Sequence, residues 1–510
     1  YPMLISNKLH SFRNFTRQKN KKMRILKNIL IYALPALMLC NTSCDYLDKE
    51  PENKVPEENV DFTQIENMYQ AVSGVYAKVR TGGMHWVIWP LSVVRDDDVW
   101  SGRIDDQATL VDMGNYNYDS SFWGLNEMWN QYYGIIKVAN AALESLDSYA
   151  ENITSDDDMT NYRSYCGEVR FLRAYAYYRL VQAFGPVTIL RNNTQTDMTR
   201  STINAVYKYV LEDLQYTMDH TPRLRPNEMA HYGAVTAFSA EMLAAKIHLN
   251  QGNYGEVETL TDDIIGSKKF KLYDDYYNLF KIPGKVCDES LFECQCTDFG
   301  LGSGDMVDAD NWFVFQGPAN DGNISGWGFI GIYKDFRDWA AARGETIRAT
   351  TSFLLAGTTT PSGDVIRELQ NSTQTDCWNG KAYTPTDQLT PGRTKYGANN
   401  NVRIFRYADV LLMNAEAKVR LGKDGDAPLK LVRDRAKMSE IDNATVDQIL
   451  DERRMELVCE WGERYNDLIR TGKAASVLGS KGWTEDKTYY PLPFDQVSNI
   501  PSLTNEPIDE

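Results

Sequence analysis

Apolar residues recur every three to four positions along much of the chain, which is the period of an amphipathic helix. The spacing predicts a first helix that begins at Asp61 as its N-cap and stops at Gly82-Gly83. A second helix is predicted over about 129–146 and a third over 168–184. The third is apolar on nearly every side, so we expect it to be packed between neighbouring elements.

Residues 235–265 predict two facing helices joined by a turn at Gly252-Asn253. Ala245, Gly252 and Tyr254 follow the spacing of a tetratricopeptide helix pair. Similar pairs are predicted over 407–437 and by joining 168–184 to 201–218. Because three or more such pairs bury a common core by stacking, the chain is predicted to be mainly α, a tetratricopeptide-like scaffold of helical pairs.

Two long stretches, about 290–335 and 350–402, interrupt the helical pattern. The first is rich in Gly, Asp and aromatic residues, and the second in Thr, Asn and Gln. Segments this long without a helical period usually carry function or form a small subdomain. They are therefore predicted to form an irregular, loop-rich ligand-binding region on the helical scaffold.

The N-terminal segment has the pattern of an export signal. Arg24 and Lys27 precede an apolar run over 29–39, and we expect Met23 to be the initiator, with residues 1–22 an upstream extension. Cys44 follows Asn41-Thr42-Ser43, the small-residue pattern that lipoprotein processing requires, so Cys44 is the predicted lipidation site. The alternative is ordinary signal cleavage near a coincidental Cys44.

These features divide the chain into three predicted parts. Residues 1–43 are the signal region, and 44–60 are the lipidated cysteine and an acidic tether. Residues 61–510 are the helical body, with its insertions near 290–335 and 350–402.

The net charge of the chain argues against one class of binding partner. The formal net charge is -16, and the residues before Cys44 contain eight of the 54 basic residues and no acidic one, so the remaining chain is more acidic still. An acidic surface repels phosphate backbones, which argues against nucleic acid as a partner. Aromatic residues make up 12% of the chain, which suits surfaces that bind amphipathic ligands as well as cores.

The chemistry-bearing residues do not form a known catalytic or metal motif. Cys294 and Cys296 would share one face of a strand, but two further ligands are not nearby, so neither a metal nor a cofactor is predicted. The chain contains no His-Glu-x-x-His, Gly-x-Ser-x-Gly or P-loop pattern, and we predict that it is not an enzyme. Asp96-Asp97-Asp98 lacks the Gly and distal Glu of a calcium loop and is predicted to be a solvated acidic turn.

Four glutamates near the C-terminus could be mistaken for a glycosidase pair. That chemistry needs two carboxylates about 5–9.5 Å apart across a cleft, whereas acids on one helix face share one side of any cleft. Arginines alternate with these acids, so we predict ion pairs that fix the last helices. The residues are Glu452, Glu456, Glu460 and Glu463 with Arg453, Arg454, Arg464 and Arg470.

Five motifs, in order along the chain, give it a family resemblance. They are Cys44-Asp45-Tyr46-Leu47-Asp48 with Pro51; Trp129-Asn130-x-Tyr132-Tyr133-x-Ile135-Ile136-x-x-Ala139-Asn140; Glu168-Val169-Arg170-Phe171-Leu172-Arg173-Ala174-Tyr175 through Phe184-Gly185-Pro186-Val187; Arg406-Tyr407-Ala408-Asp409 with Ala415-Glu416-Ala417; and Glu452-Arg453-Arg454-x-Glu456-Leu457 through Gly472. Together they resemble the SusD/RagB family of outer-membrane nutrient-binding lipoproteins from Gram-negative glycan utilisers.

The resemblance implies a lipid-anchored protein on the outer cell surface, where it serves as a lid over a SusC-like TonB-dependent transporter. It implies binding of an oligosaccharide without chemical conversion. Two other classes remain open at this point: a surface-anchored, all-helical glycan hydrolase, and a tetratricopeptide adaptor for peptides or proteins. Catalytic turnover would favour the hydrolase, and a groove of Asn, Lys and Arg on the concave repeat face would favour the adaptor.

Two segments outside the periodic helices, 84–102 and 311–331, combine tryptophans with polar residues. The apolar C–H face of a sugar packs on an indole while its hydroxyls bind polar groups at the edge. We expect the two segments to converge on one exposed face, with Trp100, Trp312 or Trp327 stacking on the ligand. The predicted ligand-binding residues are Trp86, Trp89, Arg95, Trp100, Trp312, Asn320 and Trp327.

Overall fold

The computed structural model describes residues 60–296, 312–319, 324–368, 373–389 and 399–510. The predicted signal region, Cys44 and most of the tether lie outside the described residues, as does Asn320. The predictions made for them therefore stay predictions.

Most of the described chain is helical. In chain order the helices are α1 (Tyr69–Gly83), α2 (Ile88–Val93), α3 (Ala108–Gly114), α4 (Trp123–Ala150), α5 (Asp156–Phe184), α6 (Ile203–His220), α7 (Ala237–Gln251), α8 (Tyr254–Gly266), α9 (Tyr276–Leu279), α10 (Lys334–Ala342), α11 (Ile347–Ser352), α12 (Tyr407–Arg420), α13 (Asp426–Arg435), α14 (Val446–Glu456), α15 (Glu463–Arg470), α16 (Ala474–Leu478) and α17 (Phe494–Asn499). The strands are β1 (Val99–Trp100), β2 (Ser290–Cys294), β3 (Gly331–Ile332), β4 (Phe353–Leu355), β5 (Cys377–Asn379) and β6 (Val402–Arg406).

The long helices stack in sequence order, which confirms the predicted scaffold of helical pairs. Helix α1 packs on α4, α4 on α5, α5 on α6, α6 on α7 and α7 on α8. Helix α12 then packs on α8 and contacts α13 and α14. Each pair covers the apolar side of the next, so the core is continuous along the stack.

Helix α5 is the most enclosed element, as its all-round apolar pattern predicted. It begins after Ser155, whose hydroxyl accepts a hydrogen bond from the Asp158 backbone N–H at 3.0 Å. It ends at Gly185, whose φ of 69° with ψ of -120° is a conformation that only glycine adopts readily. Nearly every residue from Cys166 to Phe184 is buried.

The strands form three two-stranded antiparallel sheets, β1–β3, β2–β6 and β4–β5. In the first sheet Val99 lies opposite Ile332 and Trp100 opposite Gly331. This pairing joins the segment after α2 to the first long insertion. The two segments predicted to converge are therefore adjacent.

Three predicted helix starts are wrong, and one short helix was not predicted. Helix α4 begins at Trp123 rather than near 129, and α5 begins at Asp156 rather than at 168. The first helix begins at Tyr69 rather than Asp61, because Ile65–Asn67 forms a separate 3-10 turn closed by a hydrogen bond from Met68 N–H to the Ile65 carbonyl at 3.1 Å. Helix α2 lies where the sequence shows no helical period. Its six residues are too few to show one, and Pro90 is tolerated because it lies in the first turn.

The predicted solvated turn at Asp96-Asp97-Asp98 is also wrong. Asp96 and Asp98 are buried, and Asp96 Oδ1 accepts a hydrogen bond from the Asp98 backbone N–H at 2.8 Å. Arg454 Nε donates to Asp98 at 3.0 Å, and Arg464 Nε donates to Asp97 at 2.8 Å. Burial and the neighbouring carboxylates raise the pKa of Asp96. Ion pairs with arginines of the C-terminal helices thus hold the acidic turn in the protein interior.

The C-terminal glutamates are structural, as predicted. Glu456 is fully buried and pairs with Arg435 at 2.5 Å, Arg406 at 3.1 Å and Arg348 at 3.4 Å. Burial alone would raise the pKa of Glu456, but these three arginines lower it to about 2. The carboxylate is therefore part of a buried ion network and not a free catalytic acid.

No helix in the described ranges is both long enough and apolar enough to cross a membrane. Within the same ranges, His, Cys, Asp and Glu side chains do not gather in groups of three that could hold a metal ion. Among the cysteines there, Cys166, Cys287, Cys294, Cys377 and Cys459 are free thiols.

Candidate functional site

Two of the predicted tryptophans meet where the paired segments converge. Trp86 lies two residues before α2, and Trp327 lies shortly before β3. Their ring centroids are 6.2 Å apart and their planes are nearly perpendicular, at 86°. Both rings are half-buried, so part of each remains accessible to a ligand.

A third tryptophan, which the sequence reasoning missed, completes this cluster. Trp123 is the first residue of α4, is 51% exposed, and lies 5.6 Å from Trp86 in an edge-to-face contact. Phe329 is buried beneath, 5.6 Å from Trp86 and 5.5 Å from Trp327. We call Trp86, Trp123 and Trp327 with Phe329 the aromatic surface.

A hydrogen-bonded set of polar side chains runs along α4, from Glu127 one turn after Trp123 to the contact of α4 with α1. Lys78 Nζ donates to Gln131 Oε1 at 2.6 Å, and Gln131 Nε2 donates to Glu127 Oε1 at 2.6 Å. His85 lies beside Trp86, with ring centroids 5.7 Å apart. Burial lowers the pKa of His85, and the nearby Glu127 carboxylate opposes that shift. Of these groups, the His85 imidazole and the Glu127 carboxylate are the ones tied to the aromatic surface.

A guanidinium group lies on the other side of the surface. Arg103 Nη1 donates to the Trp327 carbonyl at 3.3 Å, and its Nε donates to Asp105 Oδ1 at 3.1 Å. The segments approach so closely here that a Cβ on Gly102 would lie 2.6 Å from the Gly328 carbonyl oxygen. Glycine is thus required for Arg103 to reach Trp327.

Three of the predicted site residues do not lie on an exposed face, and that expectation is wrong for them. Trp89 is 0% exposed and its Nε1 donates to the Glu460 carbonyl at 2.5 Å. Trp312 is 8% exposed and stacks on Trp461, with centroids 5.5 Å apart. Arg95 is buried between two tyrosine rings. These three side chains instead pack in the interior, near the C-terminal helices.

Trp100 lies apart from the aromatic surface. It is half-buried in β1 and stacks on Tyr333, with centroids 6.0 Å apart and an interplanar angle of 23°. A Cβ on Gly331 would lie 2.7 Å from Trp100 Nε1, which shows how closely the strand partner covers this ring. Its role as a ligand contact stays a prediction.

Together these groups suit a ligand with apolar faces and a hydroxyl edge. Indole rings pack against apolar patches, and imidazole, carboxylate and guanidinium groups such as those of His85, Glu127 and Arg103 hydrogen-bond to hydroxyls. Lys78, Gln131 and Glu127 already bond to one another, so their positions are fixed before a ligand binds.

Family models match two parts of the chain. A model described as "Starch-binding associating with outer membrane" matches residues 45–249, and the model of the SusD family matches residues 332–508. Trp86 and Trp123 lie within the first matched range, whereas Trp327 lies between the two.

Full-length relatives share low but extended identity. A SusD-like protein of Bacteroides ovatus is 23% identical over 477 residues, covering 86% of this chain and 81% of the relative. SusD-like protein P38 of Formosa agariphila is 24% identical over 547 residues, covering 94% of this chain and 99% of the relative.

Solved structures share the fold. A laminarin-binding SusD-like protein superposes with a TM-score of 0.73 at 23% identity, over 86% of this chain and 97% of that structure. Surface glycan-binding protein A from Bacteroides thetaiotaomicron in complex with laminarihexaose superposes with a TM-score of 0.71 at 26% identity, over 85% and 97%.

Proposed function

The chain belongs to the SusD/RagB family, and from that premise we propose that it binds oligosaccharides at the cell surface and delivers them to a SusC-like TonB-dependent transporter. It acts as a lipid-anchored protein of the outer membrane and binds its ligand without converting it. The aromatic surface is the glycan-binding site in this proposal.

The observation that carries the proposal is the meeting of Trp86, Trp123 and Trp327 at one accessible place. Soluble proteins bury most tryptophan side-chain area, so an indole that is 51% exposed at a helix start needs an explanation. Two further half-buried indoles touch the same cluster. Several rings at different angles can follow a curved or helical sugar chain, whereas a single exposed ring could be incidental.

A related structure indicates which ligands to test first. A structure at 26% identity contains laminarihexaose, so laminarin and its oligosaccharides are the first ligands to test. We do not propose the C-terminal glutamates as a catalytic pair, because Glu452 and Glu456 are buried in ion pairs with arginines.

Native gel electrophoresis through polysaccharides tests the proposal. The full chain is run through gels containing laminarin, starch or xylan, and at least one polysaccharide should retard it. Trp123→Ala and Trp327→Ala should each reduce that retardation, because each removes a stacking ring. Tyr232→Ala is the matched control, since Tyr232 is a 62% exposed aromatic outside the cluster.

Two outcomes would contradict the proposal. One is equal retardation of the wild type and both tryptophan variants, which would place the site elsewhere. The other is release of shorter sugars from the retained polysaccharide, detected by chromatography, which would favour the hydrolase class. Delivery is tested separately: the tagged chain should co-purify with a TonB-dependent transporter from its native outer membrane.

A further inference from the structure

A second recess lies among the helical pairs and shares no residue with the aromatic surface. Its volume is about 230 Å³, and it opens between the end of α5, the start of α6, the end of α7 and helix α15. Pockets for drug-sized ligands span about 300–1,000 Å³. This recess is therefore the size of a small ligand or of one unit of a larger one. We call it the amide pocket.

Amide side chains dominate its polar lining. They are Gln182, Asn204, Asn250, Gln251 and Asn466. Each amide offers both a donor and an acceptor. The side chains of Asn204 and Asn466 make no hydrogen bond to any other part of the chain that the structure describes. Both are thus available to a ligand.

Other amides in the pocket are held in place. Gln182 Nε2 donates to the Tyr178 hydroxyl at 2.8 Å, and its Oε1 accepts from Arg179 Nη1 at 2.8 Å. Asn250 lies beside the phenol groups of Tyr178 and Tyr207. The polar wall is therefore preformed, which reduces the entropy cost of binding.

The pocket is electrically neutral. Arg470 is the one charged residue among the described residues that line it. Its Nη1 and Nη2 each donate to Glu416 at 2.6 Å, and its Nε donates to Asp467 at 2.9 Å. An ionic ligand would find no unpaired counter-charge here, and burying an unpaired ion is costly.

Tyrosine rings and aliphatic side chains supply the apolar part of the lining. Tyr207 and Tyr489 line the pocket with Ile203 and Ile469. The Tyr489 ring packs against the backbone of Gly185, where a Cβ would lie 2.8 Å from Tyr489 Cδ2. This close contact fixes the ring at the wall of the pocket.

From these features we infer that the amide pocket is a second binding site, which takes one neutral sugar residue of a glycan. Sugar hydroxyls are donors and acceptors at once, as the amides require, and the apolar C–H patches of the ring match the tyrosines. An extended peptide needs a row of contacts along a groove, whereas this recess is compact. The inference does not depend on the aromatic surface, which it leaves unchanged.

Saturation-transfer NMR on the full chain tests the inference. The probes are D-glucose, D-galactose, D-mannose and N-acetyl-D-glucosamine, with triglycine as the peptide probe. The measurements use the wild type and a triple variant, called the background chain, that carries Trp86→Ala, Trp123→Ala and Trp327→Ala. Binding at the aromatic surface should be seen in the wild type and lost in the background chain. Circular dichroism and thermal unfolding confirm that each variant is folded.

Two pocket variants and one control are each made in the wild type and in the background chain. Asn204→Trp fills the pocket from its exposed mouth, and Asn466→Leu removes an amide at similar volume. Lys208→Trp is the control, because Lys208 is an exposed residue of the same helix α6 that does not line the pocket. We expect at least one sugar to bind in the background chain, with affinity at least tenfold weaker in both pocket variants and unchanged in the control.

Three results would overturn the inference. No transfer to any of the four sugars in the background chain would show that the pocket binds none of them. Equal transfer in Asn204→Trp and Lys208→Trp would place the sugar elsewhere. Transfer to triglycine that is lost in Asn204→Trp, without a sugar signal, would make the pocket a peptide site. None of these results depends on whether the aromatic surface binds glycans.

Discussion

In the C-terminal helices, buried charged side chains depend on oppositely charged partners to be stable in the interior. Glu456 has no exposure and accepts from arginines on three other segments, so it joins α11, β6 and α13 to α14. Removing one member of such a network leaves the others buried without a counter-charge.

Glu456→Ala should therefore destabilise the chain by about 3–5 kcal/mol. Asp447→Ala is the matched control, because Asp447 lies in the same helix and pairs with Lys473 while remaining 74% exposed. An exposed pair is worth about 0–1 kcal/mol. Urea unfolding of both variants measures the difference, and equal losses of stability would show that the network is not the cause.

A different buried acid should make stability depend on pH. Glu168 Oε2 accepts hydrogen bonds from Tyr76 at 2.7 Å and from Tyr69 at 3.0 Å. Burial raises the pKa of Glu168 from 4.5 to about 7, although the two tyrosines oppose the shift. Between these values the folded chain keeps a proton that the unfolded chain has lost, so stability falls as pH rises.

Glu168→Gln should remove this pH dependence, because the neutral amide oxygen can accept the same two hydrogen bonds. Relative to the variant, the wild type should lose up to about 1.4 kcal/mol of unfolding free energy per pH unit between pH 4.5 and 7. Urea unfolding at several pH values measures the difference between the two chains. A constant difference across this window would mean that Glu168 ionises normally.

The sequence could identify two of the three segments that form the aromatic surface, those of Trp86 and Trp327, but not the segment of Trp123. Trp86 and Trp89 are three positions apart, yet one is accessible and the other is fully buried against the Glu460 backbone. That difference comes from a contact 371 residues away along the chain, which no local pattern contains. Trp123 was missed because its helix was expected to begin near residue 129 rather than at 123.

At the scale of elements, the helical pairs were predictable because their signals are local. The apolar period, the alanine spacing and the terminal glycines all lie within a few turns of each other. Strands β1 and β3 were not predictable, since they have two residues each and are defined only by their distant pairing.

The glycines that end α5 and α7 give an element-scale prediction. Both have positive φ, 69° at Gly185 and 74° at Gly252, but a Cβ would meet the Tyr489 ring only at Gly185. Gly252→Ala should cost about 1–2 kcal/mol from backbone strain alone. Gly185→Ala should cost more, because the ψ of -120° at Gly185 is open only to glycine and because Tyr489 must also move.

Thermal and urea unfolding of the two glycine variants measures these costs. The excess loss in Gly185→Ala over Gly252→Ala reports the stronger backbone strain at Gly185 together with the packing of Tyr489, which also lines the amide pocket. Equal losses in the two variants would show that Tyr489 is not held by this glycine.

For the whole molecule, the first prediction concerns the anchor. Cys44 follows small residues after the apolar run, whereas Cys40 follows Leu37-Met38-Leu39. Cys44→Ala should release the chain from the membrane fraction and abolish labelling by radioactive fatty acid, and Cys40→Ala should change neither. Normal labelling of Cys44→Ala would contradict the assignment.

The central claim is that the whole fold serves to present the aromatic surface to a glycan. Calorimetric titration tests it most directly, using an oligosaccharide of the polysaccharide that retards the wild type and a chain carrying both Trp123→Ala and Trp327→Ala. The account predicts a Kd at least tenfold higher for this double variant, which corresponds to about 1.4 kcal/mol, with its melting temperature nearly unchanged. An unchanged Kd in the folded double variant would contradict it.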